Sequence, residues 1–315
     1  MKLARYVGNG QIAIVDEPIP QCPHGGLLVK TAACGLCSGE LMDWYMDRKI
    51  PHVLGHEVSG AVVESQDERF PIGSSVFAHH HAPCLTCDRC RSGHFVHCLQ
   101  WKSTKLVPGG MAEYFAVSRE LLNDTWRTDS LRAIDAALIE PLACVQKSLR
   151  RGRWQPGEPV AIVGLGAMGL MHALICGSDA VGFEIAGSRV AWADELGIRV
   201  NQPGQFPVVI VCPGSAAAVQ KGIELCDIGG RLVLFAPLPP ASPLELDFEQ
   251  LYFRDIELIT SYSCGPDDCR AALDSLRSGR VQAESVVSDF ISLDELPCAY
   301  LQMKRGEILK AMVVF

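Results

Sequence analysis

VAIVGLGAMGLMHALICG, residues 160–177, decides the fold. Its length and hydropathy approach those of a membrane span, but the glycines and His172 inside it argue against one. A buried parallel strand running straight into a helix gives the same apolar run, with the glycines where such a chain must turn. On that reading Gly164 permits the tight turn, Gly166 lets a pyrophosphate approach the backbone, and Gly169 allows close packing of helix on strand. Leu165, Ala167 and Met168 complete the loop, and the helix N-terminus faces the phosphates. The next strand, AVGFE (180–184), ends on Glu184, about twenty residues beyond Gly164, where an acidic residue accepts hydrogen bonds from ribose hydroxyls. A carboxylate there repels a 2′-phosphate, which favours NAD over NADP; the alternative for Glu184 is a solvated strand end.

Outward from this stretch, strands and helices alternate: PVVIVC (207–212), a helix from Ser215, RLVLFAP (231–237), IELITSYS (256–263), then a helix announced by Pro266, Asp267 and Asp268 and stopped by Gly279. Such alternation implies βαβ units on a doubly wound parallel sheet, an α/β fold. Upstream, short alternating runs near residues 11–15, 27–32, 58–63 and 75–78, separated by Gly, Pro and acidic turns, predict a compact β-rich domain. A helical stretch from Ser130 to Gly152, interrupted at Pro141, marks the boundary. The tail LKAMVVF (309–315) reads as a strand returning to the first domain.

The chain has 315 residues, 48% apolar and 20% charged, which suits two domains with sizeable cores. Net charge is -8 without a basic block, so no nucleic-acid partner is expected, and no membrane association either. The N-terminus lacks the apolar core of a signal sequence. The 14 cysteines therefore read as ligands, nucleophiles or buried thiols in a reducing cytoplasm, not as a disulfide scaffold.

Four of them, Cys84, Cys87, Cys90 and Cys98, share the short segment CLTCDRCRSGHFVHC. Four thiolates so close can close a tetrahedron around one Zn²⁺ with no open position, a structural site. An iron–sulfur cluster also takes four thiolates, and unliganded thiols are the third possibility. Elsewhere stand Cys37 in CGLCSGE, His56 and Glu57 in LGHE, and Glu140 in IEPLACV. Each alone is weak. Together a thiolate, an imidazole and carboxylates are a mixed donor set suited to a catalytic Zn²⁺ that keeps a position for water or substrate oxygen.

The order Cys37, His56-Glu57, the four-cysteine lobe, GGMAEY (109–114), Glu140-Pro141 and GLGAMG resembles the zinc-dependent medium-chain dehydrogenases, especially their sorbitol and threonine dehydrogenase branch. The resemblance covers nearly the whole chain. It implies a GroES-like catalytic domain over 1–145 with the zinc lobe at 84–98, a Rossmann domain over 146–285, and a return to the catalytic domain over 286–315. It implies two zinc ions per chain, the catalytic one held by Cys37 and His56, with Glu57 and Glu140 as direct ligands or through water. Arg189 is implied to pack near the adenine, and the residue four before the first lobe cysteine, His80, to line the substrate pocket. Because successive strand residues face opposite ways, His79, His80 and His81 are not expected to converge on one metal.

One position departs from the family. Two residues after Cys37, where a Ser or Thr hydroxyl usually relays the substrate proton, stands Gly39. Ser38, or a water held by Glu57, is left to do that work. The expected function is hydride transfer between a secondary alcohol (a polyol, sugar derivative or amino alcohol) and NAD, by a homodimer or homotetramer. Two alternatives stay open: a biosynthetic carbonyl reductase of the same family, and a non-catalytic nucleotide-binding sensor with only the structural zinc.

Overall fold

The computed structural model describes residues 1–315, which divide into two compact units: residues 1–143 with 264–315, and residues 144–263. The division falls within the helix Ile139–Arg151.

The unit of residues 144–263 is built on five parallel strands in the spatial order Ala180–Phe183, Val160–Val163, Phe206–Val211, Cys226–Leu234, Glu257–Thr260. VAIV is buried at all four positions, as a central parallel strand requires. It passes through Gly164, at φ +85°, into the helix Ala167–Cys176, so the apolar run is a strand plus a helix. No helix of the chain is long and apolar enough to cross a membrane. A Cβ on Gly169 would stand 1.9 Å from the Gly164 carbonyl oxygen, so only glycine lets this helix settle on its strand. Beyond Ala180–Phe183 the sheet carries only one isolated bridge, Gly182 to Val200. Residues 201–205 alone then separate Val200 from Phe206. That is far short of the dozen or so residues a parallel crossover needs, so the position cannot hold a full strand.

In the other unit, a small sheet orders Gln11–Asp16, Lys2–Gly8 and His52–Val53, and a larger one runs Asp289–Ile291, Ala311–Val314, Leu27–Gly35, Glu57–Ser65, Ser75–Ala78, Thr125–Arg127. Tyr114–Val117 pairs with Leu27–Gly35 as well. The C-terminal strand thus does return to the first sheet, antiparallel to Leu27–Gly35 with Met312 opposite Gly35. The core gathers Tyr6, Leu27, Val29, Met46, Phe115, Leu121 and Tyr300, all fully buried.

The chain re-enters this unit at Cys264, earlier than the expected 286. The helix Pro266–Arg277 buries Cys269, Ala272, Leu273 and Leu276, and it packs on the segments 119–124 and 133–136. Polar contacts bind the following turn to the same place: Arg132 reaches Asp135 at 2.6 Å and Glu284 at 2.7 Å, and the Ala283 N–H donates to Asp135 at 2.8 Å.

Gly169→Ala tests the helix–strand fit. It is expected to lower stability by at least about 1–3 kcal/mol, the usual cost of overpacking, read as a lower urea midpoint for the transition of residues 144–263; an unchanged midpoint would mean the helix can back away freely.

Candidate metal and nucleotide sites

Register assembles the mixed cluster. In the antiparallel pairing of Leu27–Gly35 with Glu57–Ser65, Gly35 lies opposite Glu57, which places His56 and Glu57 beside the loop that carries Cys37. A donor atom from each of Cys37, His56 and Glu57 lies within 4.8 Å of the others. Gly35 is required here: a Cβ would stand 2.1 Å from Glu57 Oε2. Burial pushes the Cys37 thiol above its ordinary range against the opposing pull of His56, while Glu57 and Glu140 push the same way as burial.

Two side chains not foreseen from the sequence hold this cluster. Glu40 is 2% exposed; its Oε1 accepts the Gly55 N–H at 2.8 Å and lies 3.2 Å from His56 Nδ1. With Nδ1 so engaged, the other ring nitrogen is the one available to a metal. Burial acts to raise the Glu40 carboxyl, but His56 and the Gly55 N–H together hold it below its ordinary value. Lys310, also 2% exposed, sets Nζ 2.5 Å from Glu57 Oε2 and donates to the Leu36 carbonyl at 3.0 Å. Burial acts to lower the ammonium, and Glu57 outweighs it. A lysine inside the apolar strand LKAMVVF was the available signal for this second partner. Glu40, three residues after Cys37, offered only its spacing.

Glu57 Oε1 and Glu40 Oε2 are buried carboxylate oxygens without a hydrogen-bond partner. Such atoms are costly unless a cation completes them. The donor set of a thiol, an imidazole and buried carboxylates fits zinc. Glu140 is buried in the first turn of Ile139–Arg151, where Pro141 costs the helix no bonded N–H. Its carboxylate groups with His79 and His80 within 4.8 Å and couples electrostatically to Cys37.

The three consecutive histidines lie past the strand, which ends at Ala78. Strand alternation therefore does not separate them, and their rings pack in series at 4.9 and 4.4 Å between centroids. His80 reaches the mixed cluster, 4.8 Å from the His56 ring, and burial pushes its imidazole well below the ordinary value, so it is neutral there. His79 turns instead to Asp124, and His81 to the Thr104 carbonyl at 2.5 Å. Ser38 is exposed, at the start of the short turn Ser38–Leu41.

The four lobe cysteines form a second group with donor atoms all within 4.8 Å. Cys84 and Cys87 sulfurs stand 3.9 and 3.5 Å from Cys90 Sγ. The Cys87 N–H and the Thr86 hydroxyl each donate to Cys84 Sγ at 3.4 Å, and the Cys84 N–H donates to Cys98 Sγ at 3.4 Å. Thr86, with these amides, holds the Cys84 thiol down to about 5, the thiolate form a metal takes. The spacing and the donors aimed at sulfur fit a closed tetrahedral zinc.

In residues 144–263, the loop Gly164–Gly169 matches its expected geometry. Gly166 caps the helix Ala167–Cys176 with no side chain over it, and a Cβ there would meet nothing within 4 Å, so the helix N-terminus is open to a phosphate. Leu165 is buried, while Ala167 and Met168 are half-buried. Glu184 accepts N–H bonds from Leu165 at 2.8 Å, Ile185 at 2.8 Å and Ala186 at 2.9 Å, and Arg189 stands 3.8 Å away. Burial acts to raise its carboxyl, yet these N–H groups and Arg189 hold it below the ordinary value, so Glu184 carries its charge at the strand end. This fits the adenosine side of a dinucleotide.

Known proteins are similar to this chain in sequence and in fold. The family described as Alcohol dehydrogenase GroES-like domain matches residues 23–124. The chain is 26% identical to sorbitol dehydrogenase of Bacillus subtilis (strain 168), over 99% of this chain and 97% of that one. It is 28% identical to D-altritol 5-dehydrogenase of Agrobacterium fabrum, over 94% of each. Among solved structures, a protein described as a zinc-binding dehydrogenase from Sinorhizobium meliloti 1021, bound to NADP, superimposes with a TM-score of 0.88 at 25% identity, over 100% of this chain and 99% of that one. With a GroES-like match in its first unit and a Rossmann-type parallel sheet in its second, the chain is similar throughout to zinc-type alcohol and polyol dehydrogenases, and these likenesses support the zinc-dependent medium-chain dehydrogenase family.

Proposed function

We propose that this chain is an NAD-dependent, zinc-containing dehydrogenase of secondary alcohols of the polyol, sugar-derivative or amino-alcohol class. The observation that carries the reading is the buried cluster of Cys37, His56 and Glu57, with a carboxylate oxygen left for a cation. Sorbitol and D-altritol, named for two relatives, are polyols, which supports a hydroxylated substrate.

Cys37 and His56 would hold the catalytic zinc, with Glu57 and Glu140 as direct ligands or through water, and Cys84, Cys87, Cys90 and Cys98 the structural one. When bound, the zinc supplies Lewis acidity toward the substrate oxygen and the nicotinamide accepts the hydride. Glu40 orients His56, Lys310 offsets the charge of Glu57, and neutral His80 lines the pocket as a hydrogen-bonding wall for a polyol. Glu184 would bind the ribose hydroxyls and Arg189 lie near the adenine. The exposed hydroxyl of Ser38 is the group that would pass the substrate proton to bulk water.

None of the 14 cysteines forms a disulfide, which supports a reducing compartment such as the cytoplasm. Self-association as a dimer or tetramer is supported by the outer strand Glu257–Thr260 and the exposed Tyr252, Phe253 and Tyr262 near it.

Cys37→Ala is expected to remove one zinc per chain and abolish turnover while leaving NAD affinity within a few fold; elemental analysis beside a steady-state assay on polyols with NAD checks both, and retained activity excludes the ligand role. Glu184→Ala is expected to raise the NADP-to-NAD ratio of kcat/KM by tenfold or more, and an unchanged ratio means the carboxylate does not reach the ribose. A Cβ on Gly39 would meet only Cys37 Sγ, at an ordinary 3.5 Å. Gly39→Ser is therefore expected to fold normally and to keep or raise kcat, and a severe loss would show that substrate needs the space.

A further inference from the structure

Below the mixed cluster lies a group of side chains that the proposed reaction does not use. His79, Asp124, Cys264 and Cys269 are each 0% exposed. One donor atom from each of His79, Cys264 and Cys269 lies within 4.8 Å of the other two, and Cys264 Sγ is 3.6 Å from His79 Nε2. Zinc bonds of ordinary length to sulfur and imidazole nitrogen, arranged tetrahedrally, set such ligands roughly 3.6 Å apart. The thiols of the four-cysteine lobe show the same spread, 3.5 and 3.9 Å.

The carboxylate beside this trio has the geometry of a group that orients a ligand. Asp124 Oδ2 lies 2.7 Å from His79 Nδ1, while Oδ1 accepts the Trp126 indole N–H at 2.8 Å. A proton fixed on Nδ1 turns the lone pair of Nε2 toward the sulfurs, the arrangement in which a histidine ligand donates its other ring N–H to a carboxylate. The Cys269 sulfur stands 3.6 Å from the same Asp124 oxygen.

We propose that His79, Cys264 and Cys269 bind a divalent metal ion of the zinc class, oriented through Asp124, as a third site distinct in its ligands from the lobe and from the cluster of Cys37 and His56. Burial on every side makes it structural. His79 and Asp124 come from the first segment of the unit, whereas Cys264 and Cys269 are among the first residues after the chain re-enters it. The ion would therefore clamp the returning segment to the sheet it joins, and its uptake would release the two thiol protons.

The test is metal content of the purified whole chain by elemental analysis, for the wild type, Cys37→Ala, and the double variant Cys264→Ser with Cys269→Ser. Three zinc ions per wild-type chain, falling to two in the double variant, support the site. Two in the wild type with no change in the double variant overturn it. Two in the wild type, one in the double variant and two in Cys37→Ala would support this site while refuting the catalytic one, so the two ideas fail separately. Should the double variant not fold, cobalt titration of the wild-type apoprotein decides: a thiolate-to-cobalt band that grows through a third equivalent supports the site, and one that stops at two overturns it.

Discussion

Buried charge around Cys37 is the constraint on which the rest of the first unit depends. Glu40, Glu57 and Glu140 are 2%, 0% and 5% exposed. Removing three carboxylates from water is unfavourable by several kcal/mol each unless each finds a donor or a cation. Glu40 has His56 and a backbone N–H, and Glu57 has Lys310. Lys310 immediately precedes the strand Ala311–Val314, so the cluster is stable only if the C-terminal segment pairs with Leu27–Gly35. The return of the chain to its first sheet is thus also an electrostatic requirement. Glu57 Oε1 and Glu40 Oε2 still have no hydrogen-bond partner, and a divalent ion would complete them.

What could be read from the sequence was what short spacing determines. The cysteine lobe, the glycine loop and Glu184 are local patterns whose geometry follows from chain connectivity, and the strands around them carry alternating or continuous apolar runs. Glu40, Lys310 and Asp124 were not legible because their partners lie far along the chain: Lys310 meets Glu57 across 253 positions of sequence that only the register of two strands brings together. The re-entry at Cys264 was hidden for a similar reason. Pro266–Arg277 has the amphipathic pattern of any helix that follows a parallel strand, and nothing local tells which sheet its apolar face will meet. The three histidines do not converge on one metal, but not because of strand alternation: Ser75–Ala78 ends before them, and His79 turns to Asp124 while His81 turns to the Thr104 carbonyl.

The nucleotide unit shows how a residue can be fixed before its ligand arrives. Three backbone N–H groups hold the Glu184 carboxylate at the end of its strand. One comes from Leu165, within the glycine loop, so the loop and Glu184 are tied together. Little ordering entropy remains for binding to overcome at this position. The same bonds keep the carboxylate charged. The absence of a full strand beyond Ala180–Phe183 leaves this arrangement intact, because Asn201 bonds the Glu184 backbone, its Oδ1 accepting at 3.1 Å and its Nδ2 donating at 2.9 Å.

The short turn after Cys37 explains why Gly39 is tolerable. Ser38–Leu41 is a 3-10 turn, three residues per turn, so Cys37 at its cap and Glu40 at its third position stack on one face. Glu40 Oε1 lies 3.2 Å from His56 Nδ1, and the Cys37 thiol bonds the same imidazole. Residues 38 and 39 fall on the remaining faces, a third of a turn away in either direction. Position 39 can lose its side chain without disturbing the thiol–imidazole–carboxylate line, since its own N–H, not a side chain, bonds Cys37 Sγ at 3.3 Å. Fixing ligands and moving a proton would be separable tasks on this turn, the first resting on Cys37 and Glu40 and the second open to the exposed Ser38.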